Sequence, residues 1–307
     1  MASNVPEARI ERGSLVSVVM PSFRMGAFIG EALRGVAAQA HTAWEVIVVD
    51  DHGPDDGTRA IVETFASEHP RHRVEFHRHE HNKGVSAARN SAIALARGEL
   101  VAFLDPDDCW LPGHLQTLVE QFISVEGLDV ATGPVEAFEE GPEAEAPRVW
   151  PLPEWQVRFF PSTLSLNNFI QPSATMVRRT SLLKVGGFDD DPGLQHIEDY
   201  DLWIRLVQDG CRFSFLPTHT SRYRRHQGAA SSDPQLMRTL HDRLHAKHSP
   251  FFRSAHSKLF ISMYGLVERL EREVGKASIE RYGPLMRIIR GTDKLIRALL
   301  RTVRPGR

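Results

Sequence analysis

The sequence predicts an α/β protein built on a mainly parallel, doubly wound sheet, and three observations predict it. Short β-branched runs alternate with segments of helical apolar spacing through the first third of the chain. Several of those runs are apolar without interruption, as in strands covered on both faces. Each run ends on proline, serine or paired aspartates, the turn chemistry that closes a strand. With 307 residues, 41% hydrophobic and 25% charged, the chain has an ordinary globular composition and room for one large domain with an appendage.

Taken in order, Leu15–Met20 reads as the first strand, ended by Pro21-Ser22, because proline brings a fixed φ and no N–H. Gly26–Ala40 follows with Phe28, Ile29, Ala32, Leu33, Val36 and Ala37 at helical spacing. Val46–Val49 is the second strand, closing on Asp50-Asp51. Asp55–Gly57 turns into a helix reaching about Glu68, with Ile61, Val62 and Phe65 on one face. Val74–Phe76 predicts a third strand, Gly84–Ala96 a third helix and Val101–Leu104 a fourth strand. The acidic, proline-rich Glu139–Pro153 reads as a mobile surface loop. Ala174–Val177 could add a strand, Gly186–Asp189 is a turn, and Asp199–Gln208 is helical. From about Pro234 onward the pattern is helical to the end. The expected organisation is a sheet domain over 1–232 and a helical extension over 233–307.

Net charge is −2, so no global field marks a nucleic-acid binder. Two cysteines, Cys109 and Cys211, have no metal spacing and make no disulfide framework, which favours a reducing cytoplasm. Met1–Gly13 lacks a signal-peptide apolar core, and no apolar run approaches membrane-spanning length. G-x-G-x-x-G and P-loop motifs are absent, which removes the main support for dinucleotide redox and NTPase readings.

Chemistry concentrates after the fourth strand. Asp105, Asp107 and Asp108 surround Pro106, and carboxylates this close repel unless a cation or solvent separates them. Such oxygen-rich sites suit Mg²⁺ or Mn²⁺, which complete their shells with substrate phosphates; the alternative is a solvated acidic turn. In parallel sheets ligands gather beyond the carboxyl ends of the strands, and Pro21-Ser22, Asp50-Asp51 and Asp105–Asp108 all fall there.

The ordered set Val-Ser-Val-Val-Met-Pro-Ser-Phe (16–23), Glu-Val-Ile-Val-Val-Asp-Asp (45–51), Asn-Lys-Gly-Val-Ser-Ala-Ala-Arg-Asn (82–90), Phe-Leu-Asp-Pro-Asp-Asp-Cys-Trp (103–110), Gly-Gly-Phe-Asp (186–189), Glu-Asp-Tyr-Asp-Leu-Trp (198–203) and Tyr-Arg-Arg-His (223–226) resembles a family 2 glycosyltransferase of the GT-A fold. The resemblance implies inverting sugar transfer from a nucleotide-sugar donor, usually with Mg²⁺ or Mn²⁺. It places Pro21, Ser22, Asp50 and Asp51 at the nucleotide. Asp51 would accept the N3–H of uracil or thymine, a proton that cytosine lacks, so UDP- or dTDP-sugars are favoured. The alternative for Asp50 and Asp51 is turn chemistry at a strand end. Lys83 and Gly84, at a helix N-terminus, would touch the diphosphate or donor sugar. Arg89 would reach the same oxygens, or stand as a surface arginine.

Asp105-Pro106-Asp107 becomes the family's Asp-X-Asp motif. Asp107 is the expected metal ligand, Asp105 lies nearer the ribose or a metal-bound water, and Asp108 stabilises the loop. His226 resembles the late histidine that helps bind metal or diphosphate. Asp199 matches the general base, with Glu198 an open alternative; both together could also be ordinary compensation of the helix dipole. Gly187, Phe188 and Asp189 would form the acceptor-side loop, and Trp203 reads as core. His72, His77, His79 and His81 read as a solvated face rather than a metal site.

The acceptor, whether saccharide, lipid-linked glycan, peptide or small natural product, is not specified. Two rivals are weighed. A sugar-1-phosphate nucleotidyltransferase would need a glycine-rich signature after the first strand, absent from Val16 to Gly30, and a non-catalytic scaffold would not need the metal, base and histidine motifs together. Near the C-terminus, Leu285, Ile288, Ile289, Leu295, Ile296, Leu299 and Val303 form an apolar stripe among arginines and lysines. Over 284–304 this stripe would pack on its own domain, on a second copy in a homodimer, or on an anionic membrane surface.

Overall fold

The computed structural model describes residues 9–139, 145–225, 233–256 and 258. Strands β1 (Val16–Ser22), β2 (Trp44–Asp50), β3 (Val74–Arg78) and β4 (Leu100–Phe103) alternate with helices α1 (Ile29–Ala37), α2 (Thr58–Glu68) and α3 (Val85–Leu95). β5 (Cys109–Trp110), α4 (His114–Ser124), β6 (Val130–Thr132), β7 (Val135–Phe138), β8 (Arg148–Trp150) and α5 (Glu154–Arg158) follow. The later elements are β9 (Thr175–Arg178), α6 (Arg179–Lys184), α7 (Glu198–Gln208), β10 (Phe213–Phe215), β11 (Ser221–Arg224) and α8 (Pro234–Lys247).

A seven-stranded sheet runs β10-β6-β9-β4-β1-β2-β3, and a four-stranded sheet runs β5-β11-β7-β8. Every residue of β1, β2 and β4 is buried, which is why these strands are continuously apolar in sequence, whereas the edge strand β3 is only half-buried. β1 pairs in parallel with β2 and β4. β9 inserts between β4 and β6 and is antiparallel to both. The doubly wound expectation therefore holds from β1 to β4, and the far half of the sheet is mixed.

Two expectations need correction. Pro21 does not end β1, whose ladder with β2 continues to Ser22↔Asp50. By the alternation of parallel pairing, Pro21 faces the β4 side, where pairing has already stopped at Val19↔Phe103, so its missing N–H breaks nothing. The segment expected as a loop over Glu139–Pro153 contains strand β8 at the edge of the second sheet, and edge strands tolerate flanking prolines.

The chain divides into two compact units. Met1–Glu154 with Asn168–His248 form the unit that holds both sheets and α8; Trp155–Asn167 with Ser249–Arg307 form the other. In the second unit, Gln156 Nε2 donates to Asn167 Oδ1 at 2.9 Å and His256 meets the Ser165 carbonyl at 3.1 Å. Among the described residues no helix is long and apolar enough to cross a membrane. The C-terminal apolar stripe and His226 lie outside the described residues.

Candidate active site

A cavity of about 720 Å³ opens within the first unit. Of the residues singled out from sequence, Pro21, Ser22, Asp51, Arg89, Asp105, Pro106, Asp107, Glu198 and Asp199 line it. They come from the carboxyl ends of β1, β2 and β4, the middle of α3 and the first turn of α7, so distant sequence motifs converge on one space.

At one end stands Asp51, buried at the end of β2. Its Oδ1 accepts from the Lys83 N–H at 2.8 Å and from His79 Nδ1 at 2.7 Å, and its Oδ2 accepts from the Gly84 N–H at 2.7 Å. His79 is itself braced by Ser91 Oγ at 2.9 Å. The anion at the start of α3 is thus the protein's own carboxylate, and Lys83 and Gly84 contribute their backbone N–H groups to Asp51. Gly84 makes this turn at φ +91°, a conformation in which side-chain-bearing residues are strained. Lys83 and Gly84 instead line a smaller neighbouring cavity of about 340 Å³, which shares Asn82, Val85 and Gln195 with the larger one. Asp50 does not line either cavity. Its carboxylate accepts from the Gly53 N–H at 3.2 Å and faces Arg78 at 3.4 Å.

At the other end, β4 delivers Asp105, Pro106 and Asp107 to the cavity wall. The loop is held by β11: the Arg224 N–H donates to Asp108 Oδ1 at 2.9 Å and Arg224 Nε donates to the Asp107 carbonyl at 2.7 Å. Asp108 is buried and serves the loop, as expected. Burial, then the charges of Asp107 and Asp105, push its carboxyl well above the usual range. Among the described residues no three His, Cys, Asp or Glu side chains gather as a closed metal cage. Half-buried Asp107 and Asp105 offer two carboxylates on a cavity wall, a donor set that fits a hard divalent ion whose remaining ligands are phosphate and water.

Between these ends lies Arg89, which is not a surface arginine. It is 3% exposed, and its guanidinium spans Glu198 Oε1 at 2.6 Å and Asp105 Oδ1 at 2.7 Å over the Phe188 ring at 5.1 Å. Burial alone would lower its pKa, but the two carboxylates hold it above the ordinary value. Glu198 is buried and committed to this bridge through Oε1, with Oε2 left without a partner. Asp199 is half-buried; its Oδ2 accepts from Asn168 Nδ2 at 2.8 Å and its Oδ1 from the Tyr200 N–H at 2.7 Å. Desolvation, then the neighbouring charge of Glu198, push its carboxyl up to about 7.

None of Gly187, Phe188 and Asp189, the segment expected on the acceptor side, lines the cavity. Asn90 clasps the segment, exchanging bonds with the Phe188 N–H and carbonyl at 2.8 Å each. Gly187 sits at φ +71°, where a Cβ would approach Asn90 Oδ1 to 2.4 Å. Phe188 is buried edge-on against Phe103 and floors Arg89. Asp189 pairs with Lys247 of α8, which holds its carboxyl below the ordinary range. Trp203 is fully buried, as expected, and donates from Nε1 to the Ile170 carbonyl at 3.1 Å.

Of the four histidines, His72 stacks on Trp44 and His77 pairs with Glu75, but His79 belongs to the site through Asp51. Phe23 and Tyr223, from the sequence motifs at 16–23 and 223–226, also line the cavity, and the wall residues Met25, Gln171, Pro172, Gln195 and His196 stand in none of the motifs. Only His196 had a detectable signal, its place two residues before Glu198. It holds φ +78°, a left-handed conformation uncommon for any residue but glycine.

Comparison with known proteins bears on this geometry. The model of glycosyl transferase family 2 matches residues 17–186. The beta-1,3-glucosyltransferase WfgD of Escherichia coli, described as acting with UDP-Glc on alpha-D-GlcNAc-diphosphoundecaprenol, is 27% identical over 230 residues, covering 71% of this chain and 80% of its own. TarS 1–349 of S. aureus in complex with UDP-GlcNAc superposes with a TM-score of 0.60 at 19% identity, covering 89% of this chain and 81% of its own. The mannosyltransferase PcManGT of Pyrobaculum calidifontis, solved with GDP-Man and Mn²⁺, gives a TM-score of 0.55 at 17% identity, covering 97% and 89%. These likenesses carry the fold, which is GT-A. Coverage of curated relatives varies: this chain spans 21% of the length of one and 71% of another.

Proposed function

This chain belongs to glycosyl transferase family 2 and is a glycosyltransferase, and from that premise we propose a metal-dependent, inverting transfer of sugar from a nucleoside-diphosphate sugar with Asp199 as general base. The observation that carries the proposal is the carboxyl of Asp199, raised to about 7 on the wall of a cavity that also holds Asp105 and Asp107. A base poised near neutrality is matched to accepting a hydroxyl proton at physiological pH.

The nucleotide takes the Asp51 end. Three donors occupy three of the carboxylate's roughly four lone-pair positions, which leaves one on Oδ2 for a ring N–H of uracil or thymine. Phe23, exposed and on the cavity wall, offers a face for the base. Support for UDP comes from the donors named for WfgD and TarS. Asp107 and Asp105 would hold Mn²⁺ or Mg²⁺, the ion present in the PcManGT complex being Mn²⁺. When bound, such an ion supplies neutralising charge to the departing diphosphate. Asp199 takes the acceptor hydroxyl proton as that oxygen bonds to the anomeric carbon from the face opposite the leaving oxygen. Arg89 keeps Glu198 and Asp105 in fixed register across the reacting centre.

The test measures donor binding and transfer together, with UDP-, dTDP- and GDP-sugars and Mn²⁺. Asp199→Asn is expected to retain donor affinity and lose transfer by roughly 10²–10⁴-fold. Asp107→Asn is expected to lose the dependence of donor binding on Mn²⁺. Full turnover in either variant, or undiminished activity of the wild type in EDTA, defeats the proposal.

A further inference from the structure

The wall of the cavity continues beyond it along one face of the second sheet. Register places Trp110, Ser221, Val135 and Trp150 in one row, and Tyr223, Ala137 and Arg148 in the row two residues on, so both rows share a face. Trp110 and Val135 are buried on that face, and Tyr223 lines the cavity. Past Tyr223, small Ala137 leaves the face low, and Trp150 lies against the Tyr223 ring at 5.4 Å with planes 39° apart. Trp150 is 38% exposed on the edge strand, a costly place for an indole unless something covers it.

We propose that Trp150 and Tyr223 form an aromatic platform that stacks a saccharide ring of the acceptor; this rests on the glycosyltransfer reading of the cavity. Two observations favour a sugar. A pyranose presents a C–H face to aromatic rings and hydroxyls at its rim, and this platform pairs ring faces with exposed Arg148 in the same row as Tyr223. Arg224, the residue after Tyr223, holds the Asp107 carbonyl, so the platform leaves the cavity at the carboxylate end, away from Asp51 where the base binds.

The full chain is titrated with cellotetraose, chitotetraose and maltotetraose, with and without UDP and Mn²⁺, reading tryptophan emission and the heat of binding. At least one saccharide is expected to give a saturable emission change. Trp150→Phe should abolish the optical change while binding heat persists, because a stacking ring remains. Trp150→Ala and Tyr223→Ala should each weaken the saccharide roughly three- to tenfold, and Trp150→Ala should do so without altering UDP affinity. The platform is overturned if none of the three saccharides gives a Trp150-dependent signal, if UDP alone produces that signal, or if affinity survives Trp150→Ala. Failure of the transfer reading is recognised separately: UDP would not bind, or Asp199→Asn would still transfer, whatever the saccharide does at Trp150.

Discussion

A carboxyl titrating near neutrality ties the site to pH through one proton. Asp199 accepts protons only when ionised, so kcat/KM should rise with pH through about 7 and fall about tenfold per unit below it. Glu198 is the charge that helps hold Asp199 up, and Arg89 is the charge that opposes it. Glu198→Gln removes the negative neighbour and leaves the positive one, so the acid limb should move to lower pH. A limb that stays in place or moves upward would show that another group titrates. The carboxylates of this site were legible in sequence because each sits in a motif at an element boundary. Arg89 was placed in its motif, but its task was not legible, because the partners that define it lie 16 and 109 residues away. His79 was hidden among neighbours of the same type; only the chain's turn at Asn82–Gly84 singles it out.

At the scale of elements, the helix bearing Asp199 is fastened by the next residue but one. Asp201 is fully buried in α7, where it takes Arg205 Nε at 2.6 Å and, from the end of α8 and the residue after it, Lys247 Nζ at 2.6 Å and His248 Nε2 at 2.7 Å. Burial would raise its carboxyl, but His248, Lys247 and Arg205 hold it well below the ordinary range. Asp201→Ala leaves Arg205 and Lys247 facing an empty centre beside His248 and should cost about 3–5 kcal/mol of stability. Because the folded pKa is depressed, that contribution is complete above the unfolded value of about 3.8 and disappears as pH falls below it. Denaturant unfolding of wild type and variant should therefore differ most at pH 7 and converge in acid; equal midpoints at pH 7 would refute the lock. The strands β1, β2 and β4 were legible because burial on both faces writes continuous apolar runs. The second sheet was not: β5, β7, β8 and β11 are two to four residues long, and β8 is wholly exposed, so no periodicity accumulates.

For the whole molecule, the basic, apolar-striped segment 284–304 carries an expectation of its own. If it meets an anionic surface, each lysine or arginine near the lipid adds about 1 kcal/mol, and salt weakens the attachment. The full chain should co-sediment with anionic vesicles more than with neutral ones, and more than a chain ending at Gly283. Equal sedimentation of the two, or indifference to salt, assigns the stripe to packing within the protein. The placement of β9 has a further consequence, in the order of assembly. β3, β2, β1 and β4 come from one continuous stretch and can pair as soon as it is made, whereas β6 has no neighbour in the sheet until β9 and β10 exist. During synthesis, at roughly 5–20 residues per second, β4 therefore presents a bare edge for several seconds while residues 104–178 emerge. Until then Asp105 hangs from an unfinished margin, and the later half of the chain must slot a reversed strand into it. Birth of the catalytic cleft is thus a late event, timed by a strand that carries none of its chemistry.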